Sequence, residues 1–267
     1  MQNSPLYIVT GATRGIGRAV ATALANRQFR VIAVGRSTEL LESLRESCGP
    51  CLITLEADLS TDDGAQAVAD KIRAISNREP AIIDGIVHSA GSLVPLEPYD
   101  KIDANELVQH FRIHVATPLN LFQTISQIHS IKRMLFIDSY SATAPRPGWS
   151  AYSIIKSAAQ MAARCAAKEL ITTRIIRAYP GAVNTRIVEA VLRSQTETAA
   201  TFAAMLEKGE LAEPDQVAEF LVTLLVDASD ELLASRESFD FRNSTDRETV
   251  ARFHGHGSDE ESMPDSR

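Results

Sequence analysis

Strand-like runs alternate with helix-length segments along the whole chain, and this alternation limits the fold more than any other feature of the sequence. Short runs rich in β-branched and other apolar residues occur at 6–10, 30–35, 52–57, 82–87, 134–138, 174–179 and 238–242. Helical patterns fill the intervals: from the glycine turn at 11–17 through residue 26, then 38–47, 62–76, 105–128 with a kink expected at Pro118, 151–170 and 214–226. Two parallel strands need a crossover between them, and a helix of this length is the usual one. The pattern therefore predicts an α/β fold, a single doubly wound, mostly parallel seven-stranded sheet with helices on both faces. At 267 residues and 45% hydrophobic content the chain suits one large domain, expected over 1–254. Residues 184–212 read as a helical excursion that covers the substrate. Residues 255–267, dominated by glycine, serine and acids, are expected to be disordered.

Charge and cysteine usage narrow the class of function. Lys+Arg number 27 against 34 Asp+Glu, a net charge of −7, which argues against a nucleic-acid or anionic-membrane partner. No apolar run reaches the roughly 18 residues of a membrane span, and Met1-Gln-Asn-Ser lacks the character of a secretory leader, so a cytoplasmic location is expected. Cys48-Gly49-Pro50-Cys51 has the spacing of a thiol–disulfide redox motif. Such a motif works at a helix N-terminus, where the dipole lowers the thiol pKa. Here a helical stretch precedes it and a strand follows, so it reads as a helix stop and turn. With Cys165 the only other thiol, no metal site is expected.

Gly11-x3-Gly15-x-Gly17 falls between the first strand and the first helix. Glycines there permit a tight turn and close approach of backbone to a pyrophosphate at a helix N-terminus, as in a Rossmann-type nucleotide site. The second strand ends in Gly35-Arg36, where an NAD site usually presents an acid to the ribose. An arginine suits a 2′-phosphate, and Arg14 supplies a second cation, so NADP(H) is favoured over NAD(H).

The stretch from Ser139 to Lys156 carries the chemistry. Tyr152 and Lys156, four apart on a helix, project from one face. A neighbouring ammonium favours the phenolate form of a tyrosine, which equips such a pair to give and take protons. A hydroxyl at the end of the preceding strand can hold a substrate oxygen meanwhile.

Thr10-Gly-Ala-Thr-Arg-Gly-Ile-Gly17, Ser89-Ala-Gly91, Ser139, Tyr152-x3-Lys156 and Pro180-Gly-Ala-Val-Asn-Thr185 stand in the order and at the spacings of the short-chain dehydrogenase/reductase family, which the chain resembles over roughly residues 5–242. Gly148-Trp-Ser-Ala-Tyr152 and Lys208-Gly-Glu-Leu resemble its sepiapterin reductase and benzil reductase branch. The resemblance implies that Ser139, thirteen residues before Tyr152, orients the carbonyl. It implies too that Tyr152 is the acid/base, and that Lys156 binds the nicotinamide ribose. Nucleotide contacts are implied for Gly11, Thr13, Arg14, Gly15, Ile16 and Gly17, for Arg36, for Asp58 and Leu59 at the adenine, for Ser89, Ala90 and Gly91, and for Pro180, Gly181, Val183 and Thr185 at the carboxamide.

The sequence departs from the family pattern in two places. The usual Asn-Ala-Gly is Ser89-Ala90-Gly91, preceded by His88, so a side-chain amide is lost. The asparagine usual in the long helix is His114, which either holds a relay water in its place or is a core histidine. His110, one turn earlier, offers a His-x3-His pair but no acidic or thiol partner for a metal. The expected function is an NADPH-dependent reductase acting on the carbonyl of a small ketone, diketone or pterin-like substrate, or the reverse oxidation, in a homodimer or homotetramer. The alternative is a non-catalytic NADP-binding sensor or scaffold.

Overall fold

The computed structural model describes residues 4–77, 81–91, 94–194 and 196–254. The segment 255–267, expected from sequence to be disordered, lies outside them. The first strand β1 (Leu6–Thr10) pairs in parallel on one side with β2 (Arg30–Gly35), which pairs with β3 (Leu52–Glu56). On its other side β1 pairs with β5 (Gly85–His88), followed by β7 (Arg133–Ile137), β8 (Arg174–Tyr179) and β9 (Phe239–Asp240). All seven strands are parallel, in the order β3-β2-β1-β5-β7-β8-β9. Chain order thus reverses direction at the β1/β5 boundary, and a crevice opens there at the carboxyl ends of the strands.

Alternation along each strand divides the core. Tyr7 and Val9 of β1 face one layer, with α1 (Gly15–Asn26) and α9 (Pro214–Val226). Leu6 and Ile8 face the other, with α3 (Asp62–Ile75), α5 (Thr117–Ser126) and α6 (Ser150–Glu169). Strands covered on both faces read as nearly continuous apolar runs, as these do. The helical excursion consists of α7 (Arg186–Arg193) and α8 (Thr198–Glu207).

The structure corrects four sequence expectations. The run at 82–87 is two strands: β4 (Ile82–Ile83) pairs with β6 (Ser130–Ile131) in a separate ribbon, and only β5 joins the main sheet. Asp84 sits at the break, its carboxylate accepting the Leu6 amide (2.8 Å) and the Lys132 ammonium (2.7 Å). The long helix is not one continuous α-helix. It consists of α4 (Ala104–Phe111), a π-helical segment Arg112–Ala116, and α5, in whose first turn Pro118 lies. The wider π turn absorbs the irregularity upstream, so the missing proline N–H costs no bond within a continuous α ladder. The Thr117 hydroxyl fastens this junction by bonding to the carbonyls of Leu59 (2.6 Å) and Arg112 (3.1 Å). The strand expected over 238–242 is the two residues of β9, because Asn243 caps a helix, α11 (Ser244–Ala251), directly after it. Finally α10 (Asp230–Ser235), capped by the Ser229 hydroxyl, was not foreseen. At Cys48–Cys51, α2 (Thr38–Cys48) does end in a turn, with Gly49 at φ 75°. The Cys48 thiol faces the Thr22 hydroxyl and the Cys51 thiol faces Gln28.

Candidate active site

The glycine turn is shaped by contacts that leave no room for side chains. Gly11 has φ +68°, and a Cβ there would lie 2.8 Å from the Ala90 backbone. At Gly17 a Cβ would meet the Gly11 carbonyl oxygen at 2.4 Å. The Thr10 hydroxyl accepts the amides of Ser89 (3.2 Å) and Ala90 (3.0 Å), tying the ends of β1 and β5 together across the chain reversal. Helix α1 begins with no side-chain cap and no acid in its first turn, so its orphan amides point into the crevice. Thr13 and Ile16 lie within this turn, half-buried. A Cβ on Gly15 would sit 3.4 Å from the Thr185 methyl, which brings the loop from Pro180 through Gly181 and Val183 to Thr185 against the same turn.

Arg14 and Arg36 are both exposed, and neither pairs with a carboxylate among the described residues. Asp58 follows β3. Its carboxyl is held below the usual range, chiefly by the Ser60 hydroxyl (2.7 Å) and the Ser60 amide (2.9 Å), with Arg36 adding a smaller pull. Leu59 beside it is buried. The Gly11/Gly17 cradle and the uncapped helix start fit the pyrophosphate of a dinucleotide. The end of β2 supplies no acid for an unsubstituted ribose.

Ser139 caps the turn after β7, its Oγ accepting the Ser141 amide at 3.2 Å. Tyr152 is buried on the first turn of α6, with Trp149 edge-on at 5.5 Å and Phe202 of α8 stacked beyond it at 6.3 Å. Trp149 is held by its indole N–H to Thr198 (2.6 Å). Lys156 donates to the Ile137 carbonyl at 3.0 Å, two residues before Ser139, so α6 is fastened to the end of β7. An ammonium has three donors, which leaves two for other acceptors. His114 is buried on the π-helical segment, and its Cε1 would lie 2.7 Å from a Cβ on Gly91. It therefore stands at the loop after β5, on the side of the site opposite α1. His110 is also buried, with Glu106 at 3.8 Å, and no cluster of three metal-ligating side chains occurs among the described residues.

Three features were not anticipated. Asp138, immediately before Ser139, is buried and accepts Arg177 through Nε (2.9 Å) and Nη2 (2.7 Å). Gln160, one turn beyond Lys156, bridges Asp138 (3.5 Å) and the Tyr179 hydroxyl (2.7 Å). Burial pushes the Asp138 carboxyl up, and Arg177 pulls against it. Charged residues in otherwise apolar strands were the available signal, because such groups stay inside only when paired.

The third feature is His88. Its Nδ1 lies 3.4 Å from the Thr10 hydroxyl and its Nε2 has no hydrogen bond of normal geometry, although the Ile113 backbone is close enough to favour the proton slightly. Burial first, and the Lys156 charge second, depress its pKa from 6.5 to about 3. The folded site refuses a proton that the unfolded chain accepts. Its contribution to stability is thus complete above pH 6.5 and is lost as pH falls toward 3. Between pH 7 and pH 5 the loss is about 2 kcal/mol from this residue alone. His88→Asn should flatten the fall in melting temperature over that interval relative to the parent; parallel curves for the two proteins would contradict it.

A cavity of about 990 Å³ lies between α6 and α10 against the starts of β7 and β8, away from Ser139, Tyr152 and the glycine turn. No helix among the described residues is long and apolar enough to cross a membrane.

Residues 6–196 match the family model described as short chain dehydrogenase. Benzil reductase ((S)-benzoin forming) of Bacillus cereus is 26% identical over 235 residues, covering 82% of this chain and 92% of that protein. Sepiapterin reductase of Xenopus laevis is 27% identical over 222 residues, covering 78% and 84%. Among solved structures, the YIR035C short chain dehydrogenase/reductase of Saccharomyces cerevisiae superposes with a TM-score of 0.80 at 21% identity, covering 94% of this chain and 99% of that one. A metagenomic short-chain oxidoreductase solved in complex with NADP gives 0.66 at 22% identity, covering 85% and 93%.

Proposed function

The chain belongs to the short-chain dehydrogenase family, and on that premise we propose that it is an NADPH-dependent reductase of the carbonyl of a small ketone, diketone or pterin-like substrate. The observation that carries the reading is the fastening of α6 to the end of β7. That bond keeps Tyr152, Lys156 and Ser139 at the carboxyl ends of the strands, where the glycine turn also lies.

A bound nicotinamide supplies the hydride. The Tyr152 hydroxyl gives its proton to the carbonyl oxygen, and the Ser139 hydroxyl donates to the same oxygen as charge develops on it. Lys156, anchored on Ile137, keeps donors for the ribose and a positive field beside Tyr152. Trp149 and Phe202 wall the reacting end with aromatic surface and limit access of water. His114 holds a proton-relay position beside Gly91.

The nucleotide assignment rests on Arg14 and Arg36 clasping a 2′-phosphate. Arg36→Asp is expected to weaken NADPH binding about 100-fold and to leave NADH binding unchanged or improved. Fluorescence titration with each nucleotide measures both. Equal affinity of the unaltered protein for NADPH and NADH would remove the basis for the choice.

A further inference from the structure

Arg242 follows β9 at the edge of the sheet, yet its side chain runs inward across the strand ends. Its Cγ and Cδ lie against Gly181, where an added Cβ would be 2.7 and 3.0 Å away. Its guanidinium carbon is 5.0 Å from the centre of the Tyr140 ring. Gly181 lies just past the end of β8, and Tyr140 directly follows Ser139 at the end of β7. The arm therefore starts at the third of three adjacent strands and finishes over the ring of Tyr140, the residue next to the serine assigned to the substrate oxygen.

The arm is held in place and its charge is left over. The Tyr140 ring packs on Tyr179 at 4.8 Å between centres, and its hydroxyl hydrogen-bonds Asp240. The Asp240 carboxylate also accepts the backbone amide of Arg242 at 2.9 Å. The Arg242 guanidinium forms no ion pair among the described residues, whereas the nearby Arg177 is committed to Asp138 and Arg236 to Asp246. A guanidinium held over a ring by cation–π attraction still has N–H donors to give, and these match a carboxylate in a two-pronged contact. Arg242 is exposed and makes no ion pair among the described residues, so its guanidinium can take an anionic ligand on a chain of net charge −7.

We infer that Arg242 binds a carboxylate on the carbonyl substrate, so that the substrate class is an oxo acid. The inference rests on the reductase reading of Ser139 and Tyr152. The carboxylate takes no part in the bond changes: the C=O group gains one hydride from NADPH and one proton through Tyr152, giving a hydroxy acid and NADP⁺. Arg242 contributes selectivity, chiefly through KM.

Phenylglyoxylate and its methyl ester present the same ketone with and without the negative charge. The parent should show the higher kcat/KM on the acid. Arg242→Gln should lower kcat/KM on the acid about 10- to 100-fold and leave the ester within about twofold, with Arg242→Lys intermediate. Calorimetric titration of phenylglyoxylate into the NADP⁺-loaded protein should lose affinity by a similar factor. Equal losses on acid and ester, or a parent indifferent to the charge, would overturn the inference. A tenfold loss of NADPH affinity in Arg242→Gln would also overturn it, by assigning the arginine to the nucleotide. Failure of the reductase reading looks different: no compound is reduced, benzil included, while Arg242-dependent binding of the acid persists. If the acid is neither bound nor reduced, the inference falls.

Discussion

Tyr152→Phe should bind NADPH as the parent does and reduce a diketone about 10²- to 10⁴-fold more slowly, the range expected when a general acid is removed. The substitution deletes one buried hydroxyl and keeps the ring, so the edge-on contact with Trp149 and the start of α6 survive. The cradle proposed for the nucleotide comprises the Gly11–Gly17 turn, the loop after β5 and Thr185, which are held by contacts that do not involve that hydroxyl. Lys156→Ala behaves differently. It removes the bond to Ile137 as well as the donors assigned to the ribose, so both nucleotide affinity and turnover should fall. Titration of NADPH fluorescence beside initial rates on benzil separates the two quantities. A Tyr152→Phe protein as fast as the parent would mean that the acid lies elsewhere.

The second large effect is on stability. Arg177→Met leaves the Asp138 carboxylate buried without its guanidinium, and losing one partner of a buried pair typically costs about 3–5 kcal/mol. Gln160 and the Lys156 charge compensate only in part. In a protein of this size the melting temperature should fall by about 6–15 °C. The double variant Asp138→Leu, Arg177→Met removes both charges and should regain most of the loss, because an apolar pair of similar volume often substitutes without cost. A single variant as stable as the parent would show that Asp138 takes up a proton instead of remaining charged.

That ion pair also marks the limit of what the sequence reveals. Elements with a strong period were legible: β1, β2, β3, β7 and β8 fall within a residue or two of expectation, since strands buried on both faces must be apolar. The positions of Ser139, Tyr152, Lys156 and the glycine turn were legible too, because their spacing is fixed by a strand end and one helical turn. What escaped was decided by partners distant in sequence. Asp84 interrupts the 82–87 run only because Leu6 and Lys132 meet it there. Arg177 is intelligible only opposite Asp138. Arg242 gives no signal until Gly181 and Tyr140 are seen beneath it.

The π-helical segment Arg112–Ala116 has a consequence for how the long helix is read. A residue advances about 100° around an α-helix, so one residue's worth of extra chain in a wider turn shifts the angular phase of everything before it relative to everything after. Counting threes and fours from α4 into α5 therefore assigns the wrong faces. On α4 the buried side chain is His110, with Val108 well exposed, whereas on α5 the buried set is Thr117, Pro118, Leu121 and Ile125. The helix behaves as two gears on one shaft, each meshed with a different surface. Deleting a single residue from 112–116 would turn one gear by more than a quarter revolution and set Pro118 inside a continuous α ladder. The sheet would still be covered, but His114 could no longer face the loop at Gly91.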